Sequence, residues 1–337
     1  MSDRSRPRLE VAVETFPIRG RFAIARGSRT ESRVVAVTLE RDGVLGCGEC
    51  VPYSHFGETP ESVAAAVESL GGDLAAGLPE WLLDRGALLA RLPAGSARNA
   101  VDAALWDLEA RASGTPAWRT AGLAAPPRAR TVRTLSLDTP EAMAAQAAEL
   151  RAFATLKLKL DGGSDVERVA AVRAAAPEAT LIVDANEAWR PAQVEERVAA
   201  LVDLGVAMIE QPVAPAEDAL LGEIEHPVPF CADEAFHTAA DLDRVAERYD
   251  MVNFKLDKTG GLTYALGLRA QAEARGLEVM VGCMVGTSLS MAPALVLAQG
   301  LRFVDLDGPY LLAADREPGL ELGRDGWMGW NGALWGG

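Results

Sequence analysis

The sequence predicts an α/β protein in which a closed barrel of parallel strands follows a smaller α+β module. Short apolar runs recur eight times in the later part of the chain, and alanine-rich amphipathic segments separate most of them. Alternating strands and helices imply a parallel sheet, and eight such units imply a (β/α)8-type barrel. An open doubly wound sheet would carry a glycine-rich phosphate loop after its first strand, and none follows Leu137.

The N-terminal part of the chain is predicted to form the α+β module. Alternating segments at Val11–Phe16 and Arg33–Glu40 indicate strands, and Asp42-Gly43 is a hairpin signal. From Pro60 to Ser113 the apolar residues take a helical spacing. Strands followed by segregated helices favour an α+β domain, and the proline-rich stretch 124–127 marks its boundary.

The predicted barrel occupies residues 121–310. Its eight candidate strands are Val132–Leu137, Thr155–Leu160, Leu181–Asp184, Ala207–Glu210, Pro229–Ala232, Met251–Leu256, Glu278–Gly282 and Phe303–Leu306. The tail from 311 to 337 lacks a further strand–helix unit and contains three tryptophans. We expect this tail to pack back on the N-terminal module, so that residues 1–120 and 311–337 together form a capping domain.

Composition and charge exclude several classes of function. The chain of 337 residues has a formal net charge of −15, and a phosphate backbone needs a basic surface, so no nucleic-acid partner is expected. No apolar run reaches the roughly 18 residues of a membrane span, so no membrane partner is expected either. Cys47 and Cys50 form a C-x-x-C pair without the second half of a zinc site. Structural thiols in a reducing cytoplasm are the preferred interpretation, and redox activity is the alternative.

Acidic residues end three consecutive predicted strands. Asp184, Glu210 and Asp233 close the third, fourth and fifth runs, and active sites of such barrels lie at the carboxyl ends of the strands. Neighbouring strands are about 4.8 Å apart, so three end carboxylates can converge on one cation. All-oxygen ligation without histidine or cysteine favours a hard ion, Mg²⁺ or alternatively Mn²⁺.

Lysines occupy the same edge of the predicted barrel. Lys157 and Lys159 share a face of the second run, and Lys255 ends the sixth. Strands two and six face each other in a ring of eight, so Lys159 and Lys255 can address opposite sides of one carbon. This arrangement suits removal of a proton on one side and its return on the other, next to a carboxylate that a metal ion polarises. We expect the cation and the second lysine to lower the pKa of each lysine towards neutrality.

The strand-end motifs resemble those of a known family. They are Lys157-x-Lys159, Asp184-Ala-Asn186, Glu210-Gln-Pro212, Ala232-Asp-Glu234 and the run from Asn253 to Gly261. In order and setting they resemble the muconate-lactonizing subgroup of the enolase superfamily, over nearly the whole chain. The resemblance implies a modified (β/α)7β TIM-like barrel under an α+β cap. It also implies Mg²⁺ ligation by the three carboxylates, acid/base catalysis by Lys159 and Lys255, and stabilisation of an enediolate by Lys157.

This subgroup contains cycloisomerases, o-succinylbenzoate synthases, N-acylamino acid racemases and dipeptide epimerases, so the reaction depends on further residues. Asp305 and Asp307 share a face of the eighth run, opposite the strand that carries Glu210. Two free carboxylates there would repel a dianion and bind an ammonium group, and one to two residues of about 3.5 Å each span the mouth. The pair resembles the ammonium clamp of dipeptide epimerases, those of the L-Ala-D/L-Glu type in particular, which implies a dipeptide substrate. An N-acylamino acid racemase or a cycloisomerase is the alternative.

Further substrate contacts follow from the resemblance. The matching residues are Thr134 on the first strand and Gly282, Cys283 and Met284 after the seventh. The stretch Ile24–Arg29 resembles a loop that covers the substrate, so Arg26 would pair with a glutamate side chain; a solvated loop arginine is the alternative. His55 is a further candidate contact in the lid. The resemblance also leaves a homo-oligomer open, and an Ala-Glu substrate would imply recycling of cell-wall peptides.

Overall fold

The computed structural model describes residues 7–71 and 78–337, and the remaining residues of the predicted capping domain lie outside the described residues. Three antiparallel strands form its first sheet in the order β1–β2–β3, with the bounds Arg8–Ile24, Gly27–Arg41 and Val44–Cys50. Asp42 and Gly43, both at positive φ, connect β2 to β3. The predicted hairpin is therefore confirmed.

Helices cover one face of this sheet. They are α1 (Pro60–Leu70), α2 (Arg85–Arg91) and α3 (Ser96–Ser113), with 3-10 turns at Ser54–Phe56 and Glu80–Leu83. The short helix α4 (Ala117–Thr120) follows and packs its buried residues into the barrel core. The buried helix α3 packs directly on β2 and β3. Glycine permits this close approach, because a Cβ atom at Gly48 would lie 2.1 Å from the carbonyl oxygen of Ala100.

Seven parallel strands follow a short strand β4 (Arg128–Arg130) and curl around a common core. They are β5 (Arg133–Leu135), β6 (Thr155–Lys159), β7 (Thr180–Asp184), β8 (Val206–Glu210), β9 (Phe230–Ala232), β10 (Met251–Phe254) and β11 (Glu278–Val281), and each pairs with the next in the chain. The helices outside them are α5 (Pro140–Glu149), α6 (Asp165–Ala175), α7 (Val194–Asp203), α8 (Leu242–Ala246), α9 (Leu256–Thr259), α10 (Leu262–Glu273), α11 (Ser288–Leu297) and α12 (Gly308–Leu311). Within the described residues, no helix combines the length and apolar character that a membrane crossing requires.

The eighth predicted strand, Phe303–Leu306, is reduced to a single bridge. Val304 pairs with Val281 of β11, and its carbonyl oxygen accepts from the backbone N–H of Val132 at 2.8 Å. Beyond this point the backbone N–H of Leu306 donates to the Thr131 hydroxyl, so a hydrogen bond to a side chain takes the place of a backbone bond between strands. The segment still lies between β11 and the start of β5, and the predicted modified barrel with its cap is confirmed.

The interior of the barrel is filled, so a ligand can enter only from an end. One layer of buried apolar side chains from the strands closes the centre; it consists of Val132, Ile182, Met208, Cys231, Met251, Met280 and Phe303. All four cysteines are free thiols. Cys47 and Cys50 are three residues apart on β3, and alternate residues of a strand face opposite sides, so these two thiols point away from each other.

The C-terminal tail contacts both parts of the molecule. The strands β12 (Glu321–Leu322) and β13 (Trp327–Gly329) form a small antiparallel sheet with β4. Further on, the indole N–H of Trp335 donates to the carbonyl of Ala103 in α3 at 2.9 Å. The division of the chain near residue 120 stays a prediction.

Candidate active site

Three carboxylates meet at the carboxyl end of the barrel. Asp184 and Glu210 are the last residues of β7 and β8, and Asp233 directly follows β9. Because the strands are parallel and in register, Asp184 lies beside Glu210 and Glu210 beside Cys231. One oxygen atom from each carboxylate lies within 4.8 Å of the other two, and all three side chains are buried. The sequence-predicted ligands therefore form one cluster.

Glu210 is the carboxylate of this cluster whose negative charge its neighbours compensate least. Burial, and then the charge of Asp184, raise the pKa of Glu210 to about 7. Burial would also raise the pKa of Asp184, but the ammonium groups of Lys159 and Lys157 outweigh it and lower that pKa. Three oxygen donors without cysteine or histidine suit Mg²⁺, and its charge would remove the repulsion that Glu210 experiences.

The predicted lysines contact these carboxylates. Lys157 Nζ lies 2.7 Å from Glu210 Oε2 and 3.2 Å from Asp184 Oδ2. Lys159 Nζ donates to Asp184 Oδ2 at 2.5 Å, and Lys255 Nζ donates to Asp233 Oδ2 at 2.6 Å. All three lysines are buried. Six residues from five strand ends thus form a single network of charges.

Lys159 and Lys255 occupy opposite parts of the barrel mouth. Lys159 ends β6 and Lys255 directly follows β10, four strands away, and both line the same cavity. Burial would lower the pKa of Lys255, but the charges of Asp233 and Glu210 outweigh it and raise that pKa. The lowered lysine pKa that the sequence predicts requires a cation that neutralises these acids, and it stays a prediction.

Two amide side chains hold the carboxylates in place, and neither was singled out in the sequence. Gln211 Oε1 accepts from the backbone N–H groups of Asp233 and Ala235 at 2.9 and 3.0 Å, and Gln211 itself has a positive φ of 36°. Asn253 Nδ2 donates to Glu210 Oε1 at 2.9 Å. Both belong to the motifs Glu-Gln-Pro and Asn-Phe-Lys, which was the available signal. A strained backbone at Gln211 fits a position that is held for function.

Asp305 and Asp307 line the same cavity as the lysines, but their carboxylates are not both free. Asp305 Oδ2 accepts from Lys157 Nζ at 2.8 Å, whereas Asp305 Oδ1 is buried without a hydrogen-bond partner among the described residues. Asp307 Oδ2 accepts from Arg133 Nη1 at 3.0 Å and from the backbone N–H of Thr134 at 2.7 Å. The expectation of two free carboxylates is therefore wrong. Lys157 already binds Asp305, and Arg133 and the backbone N–H of Thr134 already bind Asp307.

A cavity of about 370 Å³ lies above these residues, which suits a ligand of dipeptide size. Most sequence-predicted contacts line it, namely Arg26, His55, Thr134, Lys157, Lys159, Asp233, Lys255, Cys283, Met284, Asp305 and Asp307. Gly282 does not; it lies against Asn253, and a Cβ atom there would be 2.5 Å from Asn253 Oδ1. The cap also adds apolar wall residues. Ile24 belongs to the predicted covering stretch and Phe56 is next to the predicted contact His55, whereas Phe22 was not singled out in the sequence.

The cap arginines differ in their partners. Arg26 donates to Glu234 Oε1 at 2.5 Å, to Glu187 Oε2 at 3.0 Å and to the carbonyl of Asn186 at 3.0 Å. It therefore ties the lid to the barrel and is not a solvated loop arginine, whereas its pairing with a glutamate side chain of the substrate stays a prediction. Arg29 also lines the cavity, over the ring of Tyr53, and no carboxylate of the described residues lies within ion-pair distance of it.

A parallel barrel under an antiparallel cap, with three carboxylates and opposed lysines at the strand ends, defines an enolase-type enzyme. Residues 8–122 match the family model described as mandelate racemase / muconate lactonizing enzyme, N-terminal domain. Residues 141–309 match the one described as enolase C-terminal domain-like. The chain belongs to the mandelate racemase / muconate lactonizing enzyme family of the enolase superfamily, as the sequence predicts.

Individual relatives narrow the class further. The L-Ala-D/L-Glu epimerase of Escherichia coli K12 is 47% identical over 316 residues, which cover 93% of this chain and 97% of that protein. An enolase family member from Agrobacterium tumefaciens with homology to dipeptide epimerases, bound to sodium and L-Ala-L-Glu, has a TM-score of 0.93 and 46% identity over 98% of this chain and 100% of its own. The dipeptide epimerase of Enterococcus faecalis, complexed with Mg and L-Leu-L-Tyr, has a TM-score of 0.86 and 26% identity over 97% of each chain. These similarities confirm an isomerase of the epimerase and racemase type.

Proposed function

We propose that this chain is a Mg²⁺-dependent dipeptide epimerase of the L-Ala-D/L-Glu type, which inverts the α-carbon of the C-terminal residue. The observation that carries the proposal is one cavity lined by Lys159 and Lys255 from opposite strands and by Asp305. Two opposed bases suit transfer of one α-proton to and from a planar carbon. A carboxylate in the same cavity suits the free ammonium group of a dipeptide. The relatives described above are named for the same reaction or bind dipeptides.

Asp184, Glu210 and Asp233 would hold the cation, Mg²⁺ or alternatively Mn²⁺. Their close, buried oxygen atoms support this assignment, and the related Enterococcus faecalis enzyme is complexed with Mg. A divalent cation bound there withdraws charge from the substrate carboxylate and makes the neighbouring α-proton more acidic.

The proton transfers are assigned to the Nζ atoms of Lys159 and Lys255. The neutral amine of one lysine takes the α-proton from one face, and the ammonium group of the other delivers a proton to the opposite face, which inverts the carbon. Lys157 has a different part. Burial would lower its pKa, but Asp305, Glu210 and Asp184 outweigh it and raise that pKa well above the ordinary value. Because Asp305, whose charge has the largest of these effects, is not a proposed metal ligand, Lys157 would stay an ammonium group beside a bound cation and stabilise the negative charge that develops on the substrate carboxylate.

The remaining groups of the cavity suit the ends of the dipeptide. Asp305 Oδ1, which has no partner among the described residues, would accept from the substrate ammonium group. Asp307, which Arg133 and Thr134 hold in place, would add its negative charge to the same end of the cavity. An acidic side chain on the C-terminal residue would meet the two cap arginines of the cavity. These are Arg26, as the sequence predicts, and Arg29, which has no carboxylate partner among the described residues. This favours glutamate as that residue.

The proposed function is tested by proton exchange. A library of L,L-dipeptides is incubated with the enzyme and Mg²⁺ in D₂O and analysed by mass spectrometry. We expect a gain of about one mass unit per molecule, as one α-proton is exchanged, with dipeptides that end in glutamate or aspartate exchanging fastest. Exchange on N-acetylamino acids and on no dipeptide would contradict the proposal and favour an N-acylamino acid racemase.

The Asp305→Asn substitution tests recognition of the ammonium group. Asparagine keeps the shape of the side chain and removes its charge, so kcat/KM for L-Ala-L-Glu should fall by about 10–100-fold, as expected for a lost hydrogen bond to a charged group of ~1.5–3 kcal/mol. N-acetyl-L-glutamate, which has no ammonium group, serves as the matched substrate. Any exchange that it shows should not fall. An equal loss for both substrates would mean that Asp305 acts through Lys157 and does not bind the substrate amine.

The cellular setting is also part of the proposal. Four free thiols support a reducing cytoplasm, and a substrate of the L-Ala-Glu type would come from cell-wall peptides. The enzyme would then convert such a recycled dipeptide between its epimers.

A further inference from the structure

The chain contains only four lysines, and all of them contact carboxylates of the active site. Of its 33 basic residues, the 29 that are not lysine are arginine (33 − 4). Three of the lysines, Lys157, Lys159 and Lys255, have the parts described above. The fourth, Lys258, has none. Because lysine occurs nowhere in the chain outside this cluster, a lysine at position 258 indicates a need for a compact ammonium group rather than for positive charge alone.

Lys258 holds the side of Asp233 that faces away from the cavity. It lies on α9, three residues after Lys255, and its side chain is completely buried. Its Nζ donates to Asp233 Oδ1 at 2.6 Å and also to the backbone carbonyl of Asp233. Lys255, which lines the cavity, contacts the other oxygen, Oδ2. Lys258 does not line the cavity, and its contact with the metal ligands is the contact with Asp233.

The backbone of Asp233 is fixed from a second direction. Gln211 Oε1 accepts from the N–H of Asp233 at 2.9 Å, while Lys258 holds its carbonyl and Oδ1. With both the main chain and one carboxylate oxygen held, rotation of the carboxyl group is restricted. Only Oδ2 is presented to the cavity side.

We propose that Lys258 is a positioning residue that makes Asp233 a one-oxygen ligand and thereby sets a preference for a small divalent cation. The inference rests on the proposed role of Asp233 in metal binding. Mg²⁺ requires short distances and a near-octahedral arrangement, whereas Ca²⁺ accepts longer distances and carboxylates that bind through both oxygens. An Asp233 released from Lys258 could offer both oxygens, which favours the larger ion.

A role of charge alone predicts something different. A buried ammonium group close to a ligand repels every divalent cation, so its removal would strengthen binding of Mg²⁺ and Ca²⁺ by a similar factor. A positioning role changes the ratio of the two affinities. This ratio separates the two explanations.

The test is calorimetric titration of Mg²⁺ and Ca²⁺ into the wild-type protein and the Lys258→Met variant. We expect the ratio of Mg²⁺ to Ca²⁺ affinity to fall by about 10-fold or more, the usual effect of losing a partner that orients a metal ligand. Arg98→Met is the matched control. Arg98 donates to the carbonyls of Thr259 and Gly260 at 2.7 and 2.8 Å, so it holds the end of the same helix without touching Asp233. Its ratio should equal that of the wild type.

An unchanged ratio in Lys258→Met, with both ions still bound, would overturn the positioning role and leave the proposed metal site intact. An equal fall in Arg98→Met would overturn it as well, since the helix and not Lys258 would then be responsible. Failure of the wild-type protein to bind either ion would overturn the proposed function and this inference together.

A second measurement does not depend on the folding of that variant. Four lysines labelled with ¹³C at Cε give four side-chain NMR signals, and single variants of Lys157, Lys159 and Lys255 assign the fourth by elimination. During a Mg²⁺ titration the three cavity lysines should shift, whereas Lys258 should shift least because its bond to Asp233 Oδ1 persists. A shift of Lys258 as large as theirs would overturn the inference.

Discussion

Replacement of either Lys159 or Lys255 by alanine should reduce epimerisation of L-Ala-L-Glu by about 10²–10⁴-fold. Each variant keeps the three carboxylates and loses one of the two groups that reach the α-carbon. Because inversion needs a proton removed on one face and added on the other, one lysine cannot replace its counterpart four strands away. The rate is measured by chiral separation of the two epimers.

Proton exchange in D₂O makes this prediction specific to a face of the substrate. The L-epimer presents its α-proton to one lysine and the D-epimer presents it to the other. One variant should therefore lose α-proton exchange mainly on the L-epimer, and the other variant should lose it mainly on the D-epimer. The control is Arg275→Ala, which removes an exposed cation paired with Asp243 on the outside of the barrel and should retain full turnover. Wild-type turnover in either lysine variant would exclude the two-base mechanism.

The catalytic end of the barrel could be predicted from the sequence because each of its charged residues lies at the end of its own strand. Asp184, Glu210 and Lys159 each end a short apolar run, and parallel strands bring their carboxyl ends to one edge whatever the packing outside. The order of strands along the ring equals their order in the chain, so neighbours in sequence become neighbours in space. The eighth run was placed correctly for the same reason, although only Val304 pairs as a strand residue.

Partners that come from distant parts of the chain could not be predicted in this way. Arg26 meets Glu234 across 208 residues, and Arg133 meets Asp307 across 174. These contacts depend on how the cap packs on the barrel and on which carboxylates the lysines already bind. No periodicity or motif in the sequence encodes these two features. The role of Gln211 could not be predicted either. Its backbone has a positive φ and its side chain binds the backbone of the next strand end, and no sequence pattern marks these two features.

Removal of the cation with EDTA should abolish epimerisation and yet leave the chain folded. Turnover should fall to background, because the α-proton of a dipeptide is a very weak acid without a cation at the neighbouring carboxylate. The fold should persist, because Lys157, Lys159 and Lys255 contact the same carboxylates and can neutralise their charge. Chiral separation and thermal unfolding monitored by circular dichroism measure the two effects on one sample. Addition of Mg²⁺ should restore turnover.

The Lys157→Met variant separates neutralisation of the carboxylates from the chemistry. Lys157 contacts Glu210, Asp184 and Asp305 at 2.7, 3.2 and 2.8 Å, so its loss leaves buried acids without their shared cation. In EDTA the free energy of unfolding should fall by about 3–5 kcal/mol, the usual cost of breaking a buried ion pair. Mg²⁺ at about 100 times its Kd should return roughly 2.7 kcal/mol of that loss. Wild-type stability of this variant in EDTA would mean that Lys157 does not neutralise the acids. Retained turnover of the wild-type enzyme in EDTA would instead contradict a requirement for the cation. The two outcomes are measured on different proteins, so the role of Lys157 and the role of the cation are tested independently.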